Sequence, residues 1–172
     1  MNTEIDNLKA AVVKLIKAGI PVFFGCDVGK HSDSTLGIMD LRLFDYDVRI
    51  SRSPHPGLYI DGKPSQTAFN IKLGMTKEQR LQVNESAMTH AMVICGVHVD
   101  PESGKPVRYK VENSWGEGSG EKGWFMMTDE WFSEYVFQIV VPKALAPKEL
   151  VKVFEDGNPH VLPAWDPMGS LA

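Results

Sequence analysis

Two apolar, β-branched runs on either side of DPESGKP (residues 100–106) constrain this chain more than any other feature. Pro, Gly and Ser clustered between such runs predict a tight connection joining an antiparallel pair. With the loop centred near Glu102, residues whose numbers sum to about 203 face one another across the ladder. His90 in THAMVICGVHVD and Asn113 in VENSWG then become cross-strand neighbours with Cβ atoms roughly 5 Å apart.

An imidazole and a side-chain amide in that relation have a chemical use. An imidazole takes a proton from a nucleophile, and returns it to a leaving group, only if one ring nitrogen is free and the ring is held in orientation. An amide oxygen that accepts from the other ring N–H fixes the tautomer without adding charge. That suits a thiolate–imidazolium pair, which is already ionised. Two plainer readings stand beside this one: a satisfied core histidine at the end of a buried strand, and an asparagine that serves the turn before Ser114. Trp115 and Gly116 follow, then the glycine-rich GEGSGEKG (116–123). Trp115 either shields a His90–Asn113 hydrogen bond from water, strengthening it in a lower dielectric, or is ordinary core packing.

Four segments, MTHAM, VENSWG, MTDEWFSEYVFQIVV and the terminal LPAWDPMGSLA, together resemble the C-terminal part of the bleomycin-hydrolase family of papain-like cysteine aminopeptidases. The resemblance covers roughly residues 3–47 and 76–172 and is most specific at the end of the chain. It implies an α+β, papain-like cysteine peptidase fold, mainly its β-rich C-terminal half with an N-terminal helix: a single partial domain over residues 1–172. It also implies that His90 is the catalytic histidine, Asn113 its orienting asparagine and Trp115 the aromatic that shields them. In the family the nucleophilic cysteine sits near the start of a long helix in the N-terminal half, after a glutamine, and nothing here matches that pattern. The resemblance places the Val22–Cys26 strand beside the substrate pocket, so Cys26 is expected to line it. As a nucleophile Cys26 is poorly placed, because a strand and a Gly-Lys turn do not lower a thiol pKa as a helix N-terminus does. Cys95, an odd number of residues beyond His90, points to the opposite sheet face and is expected to be buried and inert.

The tail, 158–172, carries Pro163 and Pro167 and reads as an extended arm. By resemblance Gly169, Ser170, Leu171 and Ala172 lie in the active-site cleft, with the Ala172 carboxylate meeting the substrate's amino group. The plainer reading is a frayed terminus. The partners implied are peptides with a free N-terminus, and either a homo-oligomer, hexameric in the family, or an N-terminal half supplied separately. Lacking its nucleophile the chain is expected to be inactive alone. The competing class is a non-catalytic interaction fragment that joins or interferes with full-length relatives.

Composition sets outer bounds. With 172 residues, 43% apolar and 23% charged, the chain is globular in type and long enough for one core. A net charge of −4 with no large Lys/Arg cluster gives no nucleic-acid footprint. Two cysteines make no disulfide framework, and an amphipathic N-terminal stretch is no signal peptide, so a reducing, cytoplasmic setting is expected. The longest apolar run, Ala91–Val97, falls far short of the roughly 20 residues that cross a bilayer. No CxxC, HExxH, Walker or dinucleotide-binding pattern occurs, so no metal or cofactor is implied.

Along the chain, Ile5, Leu8, Val12, Leu15 and Ile16 predict a helix over 4–18 with a capping pattern at Thr3 and Asp6, stopped by Gly19 and Pro21. Residues 27–37 read as polar loop with His31 at the surface, and 38–48 as a strand or extended segment. Residues 49–67 read as an inserted loop, tolerable if its ends stay close. A short helix over 76–86 leads toward His90. Beyond the hairpin come a strand at 124–128, a helix at 129–135, a strand at 137–141 and a helix from Pro147 to Phe154.

Overall fold

The computed structural model describes residues 1–43, 59–60, 63–64 and 74–169. The insertion expected at 49–67 falls almost wholly outside them, as do residues 44–48 of the extended segment read at 38–48, whose described part is a two-residue strand at 38–39 followed by a turn. In chain order the elements are α1 (Ile5–Lys17), β1 (Val22–Cys26), β2 (Ser32–Asp33), β3 (Ile38–Met39), β4 (Tyr59–Ile60), β5 (Lys63–Pro64), α2 (Lys77–Gln82), β6 (His90–Val99), β7 (Pro106–Glu112), β8 (Trp124–Thr128), α3 (Asp129–Tyr135), β9 (Val136–Ile139) and α4 (Lys148–Asp156). Seven strands form one sheet in the order β2-β3-β8-β7-β6-β1-β9. All of its pairs are antiparallel except β3 with β8. The fold is α+β.

One sheet face is the core. Strand β7 alternates strictly, with Tyr109 and Val111 buried between exposed Arg108, Lys110 and Glu112, the signature of a half-buried strand. Val22 and Phe24 of β1, Met92 and Ile94 of β6, and Phe125 and Met127 of β8 share that face. Helix α1 lays Val12 and Leu15 on it, and α3 adds Trp131, Phe132 and Tyr135. Burying each of these side chains contributes roughly 1.5–3 kcal/mol, far more than any single polar contact described below.

Helix α1 ends as the sequence predicts. Gly19 sits at φ 75°, its N–H donating to Ile16 O while Ile20 N–H donates to Leu15 O, each at 3.0 Å; this is the paired closure that a left-handed glycine permits. Its start differs. Glu4 is the N-cap without a side-chain bond, and Thr3 Oγ1 instead accepts from Asn7 Nδ2 at 2.7 Å. With Asp6 in the first turn, the expected capping pair acts through charge at the helix end and not through a capping bond. Helix α2 does have a capping box between Thr76 and Gln79, but it closes at Gln82. Residues 83–89 run on without regular structure, so the helix is shorter than the 76–86 predicted.

Two cations of α2 cap the C-terminal end of α3, where carbonyls lack intrahelical partners. Lys77 Nζ donates to Ser133 O at 2.9 Å and Val136 O at 2.6 Å, above the ring of Phe137. Arg80 donates to Glu134 O and pairs with the Glu134 carboxylate. His31 is half-buried and not superficial: its ring stacks on Tyr135 and its Nδ1 lies 3.1 Å from Leu41 O.

Burial lowers the Lys77 ammonium from 10.5 to about 8. Between those values the unfolded chain binds the proton more tightly than the folded one, so stability rises with pH across that window, by at most about 1.4 kcal/mol per unit. Burial raises the Cys26 and Cys95 thiols above their ordinary 9.0 and the Tyr109 and Tyr135 phenols above their ordinary 10.0, so stability stops rising once the unfolded thiols ionise and turns down as the unfolded phenols follow. The urea midpoint is therefore expected to climb from about pH 8 toward 9 and no further, and Lys77→Met to flatten that climb. An equal slope in the variant would refute the assignment.

Candidate active site

The hairpin that opens β6 and closes β7 positions both polar residues. Asp100 organises the connection: its Oδ1 accepts from Glu102 N, Ser103 N and Ser103 Oγ, and its N–H donates to Lys105 O at 2.8 Å. The closing pair is therefore Asp100 with Lys105, which centres the loop between Glu102 and Ser103. Register follows from it: Val93 faces Glu112 and Ile94 faces Val111, with irregularities at Ile94/Gly96 and His98/Val99. The ladder is thus offset by two residues from the expected pairing. Asn113 continues the buried phase of Tyr109 and Val111 and falls beyond the Val93–Glu112 pair, so His90 meets it on the diagonal. A long side chain spans that diagonal. The contact expected from sequence forms although the direct opposition does not.

His90 Nε2 and Asn113 Oδ1 are 2.9 Å apart. The same oxygen accepts from Ser114 N–H at 2.8 Å, and that second bond fixes which end of the amide faces the ring, because two donors would not approach each other. The ring nitrogen must then be the donor. His90 carries its proton on Nε2, and its Nδ1 is left with the lone pair that a base requires. Asn113 is 8% exposed. Its Nδ2 is buried and unpartnered among the described residues, a cost of about 1–3 kcal/mol that the two bonds to the oxygen offset only in part.

Trp115 stacks on the imidazole with ring centroids 4.8 Å apart and planes tilted by 30°. Its position is braced edge-on by Phe125. At 45% exposure it covers the ring with one surface and presents another to solvent, which is neither a packed core tryptophan nor a complete shield.

The other residues singled out fall differently. Cys26 lies directly opposite His90 in the β1–β6 register, yet it is 0% exposed and packed in the core. It therefore presents no surface on which to line a pocket. Burial first, and the neighbouring Asp27 second, push its thiol far above the ordinary range, so the thiolate a nucleophile needs is disfavoured. Cys95 is on the far face as the parity of its number requires, but it is half-buried and not fully buried. Its Sγ lies 3.7 Å from Glu112 Oε2, and desolvation and that carboxylate raise its pKa. Gly169 ends a tight turn in which its N–H donates to Asp166 O at 2.8 Å; Ser170, Leu171 and Ala172 lie outside the described residues. The tail from 157 is non-helical, as its prolines predict, but it closes in turns at 163–169 and does not stay extended. It is also tied in place: Met88 N–H donates to Pro167 O at 2.8 Å, two residues before His90. Neither that tie nor the buried Asp27–Ser86 contact, 2.7 Å, carries a signal in the sequence, since both join segments far apart in the chain.

The hydrogen bond between His90 and Asn113 has a measurable strength. In a double-mutant cycle of His90→Ala and Asn113→Ala followed by urea unfolding, a coupling of about 0.5–1.5 kcal/mol is expected; additive changes would mean that the pair is adjacent without being bonded.

A family model described as "Peptidase C1-like family" matches residues 1–55 and 60–169. Human bleomycin hydrolase is 44% identical over 173 residues, which take in 99% of this chain and 34% of that protein. Aminopeptidase C of Listeria monocytogenes is likewise 44% identical, over all of this chain and 34% of its own length. Cysteine proteinase 1, mitochondrial, of Saccharomyces cerevisiae is 42% identical over 174 residues, 32% of its length. The crystal structure of pepw from Lactobacillus rhamnosis superposes with a TM-score of 0.80 at 44% identity, over 98% of this chain and 34% of that one. The chain spans about a third of the length of the relatives it matches.

Proposed function

The chain belongs to the Peptidase C1-like family, and we propose that its part in a cysteine aminopeptidase is to supply the general base and the group that orients it, the nucleophilic thiol coming from outside this sequence. The observation that carries this reading is the doubly held amide of Asn113, 2.9 Å from His90 Nε2 and 2.8 Å from Ser114 N. With Nε2–H engaged, Nδ1 takes the proton of a thiol brought against it. The resulting imidazolium is steadied by the Asn113 oxygen, and the thiolate attacks the substrate carbonyl. Collapse of the tetrahedral adduct breaks the C–N bond as the imidazolium gives its proton to the departing amine; water, deprotonated by the regenerated base, then releases the acyl group from sulfur. An amide suits this cycle better than a carboxylate, because the charged intermediate is already a neutralised ion pair.

The proposed substrates are peptides with a free N-terminus. Support for that comes from the tail, whose Pro167 O accepts from Met88 N–H, two residues before His90, and lies two residues short of the Gly169–Ala172 segment whose terminal carboxylate is proposed to meet the substrate's ammonium group. No helix among the described residues is long and apolar enough to cross a membrane.

A second reading, a non-catalytic partner for longer relatives, is favoured by one observation. Val153 and Phe154 of α4, with Val161, Leu162 and Trp165 of the tail, are each exposed, large apolar side chains of the kind found where proteins associate.

Turnover of a fluorogenic amino-acid amide tests the first reading. The purified chain is expected to be inactive, and to gain activity when mixed with the remaining two-thirds of a relative; that gain should vanish in His90→Ala and survive in Cys26→Ala. Activity of the chain alone, abolished by both substitutions, would make Cys26 the nucleophile and overturn the proposal. Sedimentation at high concentration should show self-association, whereas a monomer would count against the second reading.

A further inference from the structure

Residues 83–89, which carry the chain from α2 into β6, have no regular structure, yet the four residues just before His90 are each bonded. Ser86 Oγ donates to Asp27 Oδ2 at 2.7 Å and Ala87 N–H reaches the same oxygen at 3.3 Å. Thr89 Oγ1 lies 3.5 Å from Asp27 Oδ1, and Thr89 N–H donates to Cys26 O at 2.9 Å. Met88 N–H points the other way, to Pro167 O. Asp27 is itself fixed by its N–H, which donates to Tyr135 O at 3.0 Å. It is 5% exposed and Ser86 2%.

A carboxyl group so deeply placed is costly unless its oxygens are bonded. Among the described residues, the donors that reach its oxygens come from this one segment. The next residue along is His90, and the residue before Asp27 faces His90 across the sheet. One buried side chain therefore ties down both the strand beside the imidazole and the backbone leading into it. Because Ser86, Ala87 and Thr89 are held inward, the Met88 amide is left aimed outward at the tail.

We propose that Asp27 is a positioning residue: through Ser86, Ala87 and Thr89 it sets the His90 ring against Asn113 and Trp115, and through Met88 it sets the point at which the C-terminal tail is anchored. The proposal rests on His90 being the base, but the geometry it asserts is measurable without turnover. Hydrogen bonds alone between a loop and a core would satisfy buried groups; what distinguishes positioning is that the ring and the tail move together when Asp27 is changed while the sheet does not.

The experiment uses the full 172-residue chain with Asp27→Ala, Asp27→Asn and Ser86→Ala. Two readouts are taken by NMR: the His90 ring-proton shifts, which lie under the ring current of Trp115, and the exchange rate of the Met88 amide. Amides of the β7–β8 pair report on the sheet. In Asp27→Ala and Ser86→Ala the His90 shifts are expected to move toward solvent values and Met88 exchange to quicken about fivefold or more, with sheet amides unchanged. Asp27→Asn keeps an acceptor oxygen for Ser86 and Ala87 and is expected to restore both signals. Unchanged His90 and Met88 signals in a folded Ser86→Ala would overturn the proposal, and so would a loss of protection spread evenly over the sheet. If Asp27→Ala does not fold, Ser86→Ala and Asp27→Asn still decide it. Absence of peptidase activity in the reconstituted assay would sink the catalytic reading and leave these signals as they are.

Discussion

Everything at the candidate site depends on the phase of the β6–β7 ladder. Tyr109, Val111 and Asn113 occupy alternate positions, so the burial of two apolar residues forces the amide onto the core face at the strand's end. Met92 and Ile94 do the same for His90. A one-residue slip on either strand would turn that strand's polar residue outward and its apolar set to water. Preventing the slip are several buried side chains, each contributing roughly 1.5–3 kcal/mol, against about 1 kcal/mol for the hydrogen bond between the two polar groups. The apolar pattern thus places the imidazole and the amide, and their bond refines an arrangement already made.

The refinement is chemical. Asn113 Oδ1 accepts twice, from Ser114 N–H and from His90, and the backbone bond decides the orientation of the amide before the ring arrives. Tautomer choice therefore descends from the turn geometry after β7. Leaving Nδ2 of Asn113 buried without a partner among the described residues is the cost of that arrangement. Trp115 covers the imidazole on one side while it is itself 45% exposed, so the ring is sheltered there without being sealed into the core.

Much of this was legible in the sequence. Strand β1, the hairpin, strand β8 and helix α3 fall within a residue or two of where pattern and turn residues put them, because each is set by local periodicity. The pairing of His90 with Asn113 was legible too, though for a slightly different reason: the loop centre was misplaced by about one residue and the diagonal reach of a histidine absorbed the error. What escaped was non-local. The burial of His31 against Tyr135, the complete enclosure of Cys26, and the partial exposure of Cys95 depend on which elements pack over them. The helix caps at Glu4 while the Thr3 hydroxyl accepts from Asn7, four residues on, and α2 stopped early because Ser86 and Asn84 serve the loop and not the helix. Residues 49–67 lie outside the described residues almost entirely, so the insertion read there has no structural counterpart to weigh.

Stability and site assembly are separable in this architecture. The apolar cluster that α1 and α3 make with the sheet contains no residue of the tail or of the 83–89 segment among those described, although Met88 of that segment is itself buried. His90, Asn113 and Trp115 sit at its edge, on the ends of strands whose middles do the packing. A fold built this way holds the imidazole and the amide in place through the packing of the strands that carry them. Among the described residues the tail meets the segment before His90 at the backbone bond from Met88 N–H to Pro167 O, worth about 1 kcal/mol or less where water competes. That bond places the tail against one of the four residues that lead into His90. On the positioning proposed above, whatever orders that segment orders the ring and the tail together, and the buried carboxyl that follows β1 is the group that does so.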